Sequence, residues 1–407
     1  MTQKFPINTA TGCQLKWTWS TLWLTSGTTA SCHRIWPEKI AIEDFQNFHN
    51  TPKKIADRKL MLNGQWPKGG CEYCKAIEDA GGKSDRQYHL EWDRITPPEL
   101  RHNPAATVVT PRIVEVFMNN TCNLKCVYCD PGLSSSIEKE NNQFGTFEKN
   151  GVEIAAYNPV LSNREQYVKE FFVWLEKNYM HLERLHILGG EPFLQPEIDR
   201  FLDFWETHHN PNLVINIISN LMVKERTLQK YIDKLSHLIE NKFIGNSHIT
   251  GSLDTWGAAA EYARNGLKLE TFENNLKYIL NSNIERVGIY SVITSLTLMD
   301  IPQLLDKIRE WRAIKPELVY GFQYNTMPTR DFLHPKHFGK ELWQKTFEEI
   351  FQKMSNDDQV EEMRGIKAVI DTDVVNTDEI AKLHTYLDEL DRRRGTNWRT
   401  TFPYLNI

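Results

Sequence analysis

Three cysteines, Cys122, Cys126 and Cys129, sit in the run Thr121-Cys122-Asn123-Leu124-Lys125-Cys126-Val127-Tyr128-Cys129, a CxxxCxxC spacing. Three thiolates on one tight loop can hold three irons of a 4Fe–4S cube and leave the fourth iron without a protein ligand. An open iron is a place where a small molecule can bind and be electronically activated. The bland alternative is a structural zinc. Zinc favours four ligands in paired CxxC or CxxH units, and no fourth Cys or His stands beside this triad; His33, His49 and His181 lie in other segments. The other four of the seven cysteines, Cys13, Cys32, Cys71 and Cys74, all lie upstream. Cys71 and Cys74 form a CxxC behind Gly69-Gly70, where glycines let backbone amides turn toward sulfur. Four thiolates saturate a second cluster or one zinc. The long gaps between them require the fold to bring them together, and Cys13 and Cys32 also read as buried apolar thiols.

With an aromatic residue, Tyr128, just before its last cysteine, the triad resembles that of the radical S-adenosylmethionine (SAM) superfamily. The resemblance implies that the open iron chelates the amino and carboxylate groups of SAM, and that one electron cleaves SAM to a 5′-deoxyadenosyl radical. The cofactor would carry the hard chemistry while the protein supplies position and exclusion of water. The segment Leu188-Gly189-Gly190-Glu191-Pro192 fits the same family. There a GGEP motif binds the SAM amino group; the glycines let carbonyls come close and Glu191 adds an acceptor. Taken alone, it reads as a helix start with Pro192 at the first helical position. By resemblance, Ser219 and Asn220 at the end of the third strand, and Ser252 and Arg264 around the fourth, also sit around SAM, with Arg264 forking onto its carboxylate. Arg264 by itself also reads as a surface helix arginine. Asp254 could position substrate, accept a proton or cap a helix. Tyr320, Gln323 and Asn325 on the sixth strand are weaker candidates for facing the barrel.

The four upstream cysteines, with Trp17-Thr18-Trp19 before them and Gly81-Gly82 after, look like the auxiliary-cluster (SPASM/twitch) module of radical SAM enzymes. That module usually follows the radical SAM domain; here it comes first. The resemblance implies a second, auxiliary 4Fe–4S cluster. It also implies a ribosomally made precursor peptide as substrate, to be cross-linked, epimerised, joined through a thioether or shortened by backbone excision. A separate small peptide-recognition protein and a reductant such as flavodoxin or ferredoxin would be partners. Two other readings stand beside it: radical oxidation or rearrangement of a small metabolite, and a non-enzymatic zinc or electron-transfer protein.

These residues need a scaffold. The chain has 407 residues, 40% hydrophobic and 25% charged, enough for a large core and more than one domain. Its net charge of −5 argues against binding a nucleic-acid backbone. No signal peptide or membrane span is legible, and an odd cysteine count without a secretion signal points to metal chemistry in the cytoplasm. From about residue 107 the pattern alternates between strands (112–118, 184–188, 213–218, 248–253, 287–294, 318–324) and helices (164–179, 196–207, 225–240, 271–281, 302–311). Alternation of this kind implies a parallel sheet, and six units match the partial (β/α)6 barrel of the resembled superfamily, with its site at the carboxyl ends of the strands. The expected organisation is α/β: an auxiliary module at 1–105, with helical patches at 42–49 and 53–63, the radical SAM barrel at 106–335, and a C-terminal helical segment at 336–407 with helices at 339–354 and 377–394. Residues 133–163 read as a long polar connection.

Overall fold

The computed structural model describes residues 7, 9–32, 34–79, 81–92, 95–156, 160–324, 328–355, 358–372 and 374–406. Its central feature is a nine-stranded sheet made of β1 (Trp19–Trp23), β2 (Thr28–Ala30), β3 (Glu38–Lys39), β4 (Ile113–Phe117), β5 (Arg184–Leu188), β6 (Asn210–Ser219), β7 (Ile244–Ser252), β8 (Arg286–Ile293) and β9 (Val319–Tyr324). The spatial order is β9-β8-β7-β6-β5-β4-β1-β2-β3. From β4 to β9 neighbours in sequence are neighbours in space, and every pairing among them is parallel. Parallel strands need a crossover, and helices supply it: Arg164–Asn178, Glu197–Thr207, Glu225–Glu240, Leu269–Leu280 and Ile301–Arg312. The protein is therefore mixed α/β with a parallel-strand sheet.

The helices cover one face of this sheet. Glu225–Glu240 shows why: Leu228, Tyr231, Ile232, Leu235 and Leu238 recur at three and four and are all buried. On β5 the residues facing those helices, Leu185 and Ile187, are buried, while Arg184, His186 and Leu188 are only half-buried. Parallel strands in α/β proteins are usually buried on both faces. Here the second face is open enough to line cavities.

Residues 1–105 do not stand apart from that sheet. β1 pairs in parallel with β4 from Trp19↔Ile113 to Trp23↔Phe117, and β2 and β3 extend the edge antiparallel. The segment also has a second core, in which Cys13, Trp17, Trp19, Met61, Cys71 and Leu100 pack together. The 42–49 patch is a 3-10 helix, Ile42–Asn47, and the next is the helix Pro52–Leu62, with Thr51 accepting from the Lys54 N–H and Pro52 in the first turn.

The stretch 133–163, read from sequence as a polar connection, holds a helix, Ser135–Phe144, and a hairpin, Phe147–Lys149 with Val152–Ile154. The helix starts where the Ser134 hydroxyl accepts from the Ile137 N–H and stops at Gly145, whose φ is 74°. After β9 come Lys340–Lys353, Thr377–Arg394 and a helix not expected from sequence, Val360–Thr372. Tyr320 and Gln323 are three positions apart on β9, so they point to opposite faces; Tyr320 is buried against Phe322 and Gln323 is exposed. Asn325 lies outside the described residues. Among those residues no helix is long and apolar enough to cross a membrane.

Candidate active site

The loop after β4 carries Cys122, Cys126 and Cys129 to the carboxyl ends of the strands. All three line a cavity of about 270 Å³. The same wall contains Tyr128, Gly189, Gly190, Asn220, Ser252 and Arg264, each singled out from sequence. The loop is held by its own chain. Ser134 donates to the Leu124 carbonyl (2.7 Å) and Ser136 to that of Cys122 (2.7 Å). Lys125–Cys126 pairs antiparallel with Arg264–Asn265. From far downstream, Tyr386 donates to the Val127 carbonyl at 2.7 Å and Arg330 to the same oxygen at 2.9 Å.

Burial pushes the Cys122 thiol up to about 12, and the neighbouring Cys126 adds to this. Burial likewise raises Cys126, against the pull of Arg264, and raises Cys129 further. Such thiols keep their protons at ordinary pH, so a cation that binds them must displace protons. A single tetrahedral zinc at 2.3 Å from each sulfur needs sulfurs roughly 3.8 Å apart. No three of the seven cysteine sulfurs lie mutually within 4.8 Å; among the described residues Asp331, His337 and Glu379 meet that limit. Asp331 is already engaged by Lys336 and His337, and Glu379 by Lys382; none of the three lines the cavity.

Hydrogen-bond donors face the sulfurs. Arg264 Nη1 lies 3.6 Å from Cys126 Sγ, and its Nε donates to Asp254 Oδ2 at 3.1 Å. The same carboxylate oxygen accepts from the Tyr128 hydroxyl at 2.7 Å, and its other oxygen from the Val292 N–H at 3.1 Å. Asp254, fully buried, is thus a bracket that aims Arg264 and Tyr128. It caps no helix. Asn220 Nδ2 lies 3.7 Å from Cys122 Sγ and donates to Asn123 Oδ1 at 3.1 Å.

The glycine pair serves the loop as well as the cavity. A methyl group on Gly189 (φ 140°) would come within 2.5 Å of the Asn119 carbonyl, and one on Gly190 within 2.2 Å of the Thr121 carbonyl. The Gly190 and Glu191 N–H groups donate to those same two carbonyls at 2.9 and 2.7 Å. Only glycine lets the end of β5 lie this close to the cysteine loop.

Glu191 is placed differently from the role that the motif implies. It is fully buried and absent from the cavity wall. One oxygen accepts from Ser219 (2.8 Å) and the Phe193 N–H (3.1 Å), the other from the Asn220 N–H (2.6 Å). Its carboxyl fastens β5 to β6 and positions Asn220. Burial raises its pKa to about 7 against those three hydrogen bonds. Pro192 and Ser219 are buried behind it.

The structure brings the four upstream cysteines together. Burial pushes Cys13 up to about 12, and the thiols of Cys32 and Cys71 add to that push. Cys71 rises to about 11 by burial, with Cys32 and Cys74 contributing and the Lys16 ammonium opposing. Lys16 is buried and paired with Asp57 at 2.7 Å. Trp19, which shares a core with Cys13 and Cys71, meets the His186 ring of β5 edge-on at 4.9 Å, so this cysteine set sits beside the open face of the sheet.

Sequence reasoning missed the apolar wall of the main cavity: Phe117, Leu124, Leu133, Leu188 and Ile218. Leu188 and Ile218 carried a signal, since each immediately precedes a motif at the end of its strand. Arg330 and Tyr386 carried none.

No curated protein matches the sequence. Among solved structures the chain is similar to Streptococcus suis SuiB bound to precursor peptide SuiA, with 14% identity and a TM-score of 0.38 over 81% of this chain and 66% of that chain. The chain thus spans just under two thirds of that protein's length. Residues 116–308 match the radical SAM superfamily. That span, just under half of the chain, holds the three cysteines, the glycine pair, Asn220, Ser252 and Arg264, and the superfamily it matches is one that implies a 4Fe–4S cluster and SAM.

Proposed function

We propose that the chain is a radical SAM enzyme whose substrate is a peptide, with an auxiliary cluster on its N-terminal segment. The observation that carries the SAM chemistry is the convergence of Cys122, Cys126, Cys129, Gly189, Gly190, Asn220, Ser252 and Arg264 on one cavity. A 4Fe–4S cluster held there would supply one electron for the reductive cleavage of SAM, the source of a radical that would take a hydrogen atom from the substrate. Cys122, Cys126 and Cys129 would hold three irons and leave one open. Arg264 and Asn220 place donors at two of the sulfurs, where hydrogen bonds lower the electron density on the thiolates. Arg264, kept cationic by Asp254, also offers a fork to the SAM carboxylate. Gly189 and Gly190 leave their carbonyl side open to the amino group. Phe117, Leu188 and Ile218 keep water from the reacting atoms.

The peptide reading rests on the second cysteine set. Cys13, Cys32, Cys71 and Cys74 offer four sulfurs, enough to saturate a cube. Such a cluster serves electron transfer or support rather than direct ligation of substrate. Together with the contact of Trp19 with His186 this favours an extended substrate lying between two clusters.

The test is anaerobic reconstitution followed by reduction in the presence of SAM. The wild type should bind about eight irons, two cubes, and release 5′-deoxyadenosine. Cys126→Ala should lose about half the iron and all of the 5′-deoxyadenosine. Undiminished 5′-deoxyadenosine from that variant would remove the triad from the chemistry, and stoichiometric zinc in place of iron would remove the clusters.

A further inference from the structure

The open face of the sheet has a polar floor. Strand register aligns Glu115, His186, Asn216, His248 and Arg286 in one row across β4 to β8. Two residues higher on the same face come Ile218, Thr250 and Gly288, and two higher again Ser252, Tyr290 and Gly321. A second cavity, of about 390 Å³, spans these rows. Asn216, His248 and Arg286 line it below, Thr250 and Gly288 in the middle, and Tyr290 and Gly321 above. It adjoins the cysteine cavity. Ile218 and Ser252 line the first, and their register partners Thr250 and Tyr290 line the second. Glycine keeps it open: a methyl group on Gly321 would meet the Tyr290 ring at 3.0 Å.

Among the described residues the cavity wall contains a cation and no carboxylate. Arg286 is exposed, and among the described residues its guanidinium has no ion-pair or hydrogen-bond partner. Beside it, His248 is 3.8 Å from Glu285, which lies outside the wall. Burial and then the Arg286 charge lower the His248 pKa and keep its imidazole neutral. In the floor row Glu115 is buried, and burial lifts its carboxyl to about 8, so it brings no negative charge at neutral pH.

We infer that this second cavity is the substrate pocket of the proposed radical SAM enzyme, and that Arg286, flanked by His248 and Asn216, binds a carboxylate of the substrate. One planar guanidinium with a neutral imidazole and an amide matches a single negative charge with a fork-shaped acceptor better than a phosphate dianion. His248 lies four residues below Ser252, about 13 Å along the strand at roughly 3.3 Å per residue. Arg286 therefore positions the substrate at a distance from the reacting atoms. The inference rests on the function proposed above, but its test reads binding rather than turnover.

The probes are Ac-Ala-Glu-Ala-NH2, its glutamine counterpart and free glutamate, titrated calorimetrically into the reconstituted protein with SAM present. The glutamate peptide should bind about tenfold more tightly than the glutamine peptide, the worth of one charge-assisted hydrogen-bonded pair. Arg286→Ala should erase that preference, and Arg286→Lys should restore part of it. Both variants should still release 5′-deoxyadenosine from SAM, since Arg286 lines no part of the cysteine cavity. Absence of any carboxylate preference in the wild type, an undiminished preference in Arg286→Ala, or tighter binding of inorganic phosphate than of the glutamate peptide would overturn the inference. Free glutamate binding more tightly than the peptide would uphold the carboxylate site and assign it to a small-molecule substrate. A wild type that binds the glutamate peptide selectively but makes no 5′-deoxyadenosine would refute the radical chemistry and leave the carboxylate site standing.

Discussion

Arg264 meets three demands with one side chain. Its fork reaches a cysteine sulfur, its Nε is held by Asp254, and its guanidinium lies 5.8 Å from the centre of the Tyr128 ring. A lysine there would carry the charge without the planar fork. Glu115 is the opposite case, a carboxyl that does best uncharged. In the unfolded chain it loses its proton near 4.5; in the folded protein burial holds the proton to about 8. A raised carboxyl pKa means that the folded state binds more protons across that interval. Stability should therefore fall as pH rises from about 4.5 to 8, by at most about 1.4 kcal/mol per pH unit. Glu115→Gln should flatten this part of the profile. Denaturant melts of both proteins at pH 5, 7 and 9 check it; parallel profiles would mean that Glu115 ionises normally in the fold.

At the scale of elements, the cysteine loop is braced by two helices from distant parts of the chain. Glu140, on Ser135–Phe144, bridges Lys125 of the loop (2.8 Å) and Arg394 at the end of Thr377–Arg394 (2.9 Å). Burial pushes the Glu140 carboxyl up, but Arg394 and then Lys125 outweigh it and hold the pKa below the usual range. Its stabilisation is present above the unfolded value and is lost as pH falls through the lower folded one. Glu140→Gln leaves the buried Arg394 without its carboxylate and should cost roughly 3–5 kcal/mol. Thermal melts of the iron-free protein should show the loss, and an unchanged melting temperature would mean that the bridge is idle. This bracing also shows where the sequence stops being legible. β5 and the helix Glu225–Glu240 match their expected bounds because their apolar periodicity is strong and local. Ser135–Phe144 escaped notice because Glu140 and Asn141 are buried through arginines some 250 residues away, and no local pattern records that. β1 escaped because it is buried on both faces and shows no alternation. The site residues were legible where rare types cluster, as with the cysteines and the glycine pair. The fastening role of Glu191 was not, since Ser219 and Asn220, which hold it, come from the next strand.

Taken whole, the molecule wraps a parallel sheet with the N-terminal cysteine set beside its open face and the C-terminal helices behind the cysteine loop. The tie from Tyr386 to the Val127 carbonyl reaches back 259 residues. A chain emerging from a ribosome makes its cysteine loop long before it makes that tie. The loop is unbraced throughout synthesis of the sheet, and its thiols are then open to oxidation or to the wrong metal. Under the function proposed above, iron loading would be a late event, and whatever delivers the metal would meet a chain already translated past Thr377–Arg394. Nascent chains stalled with residue 376 as their last should hold iron poorly at the triad, while chains stalled past the helix should hold it fully. Equal retention by the two would show that the loop closes around its metal without waiting for the end of the chain.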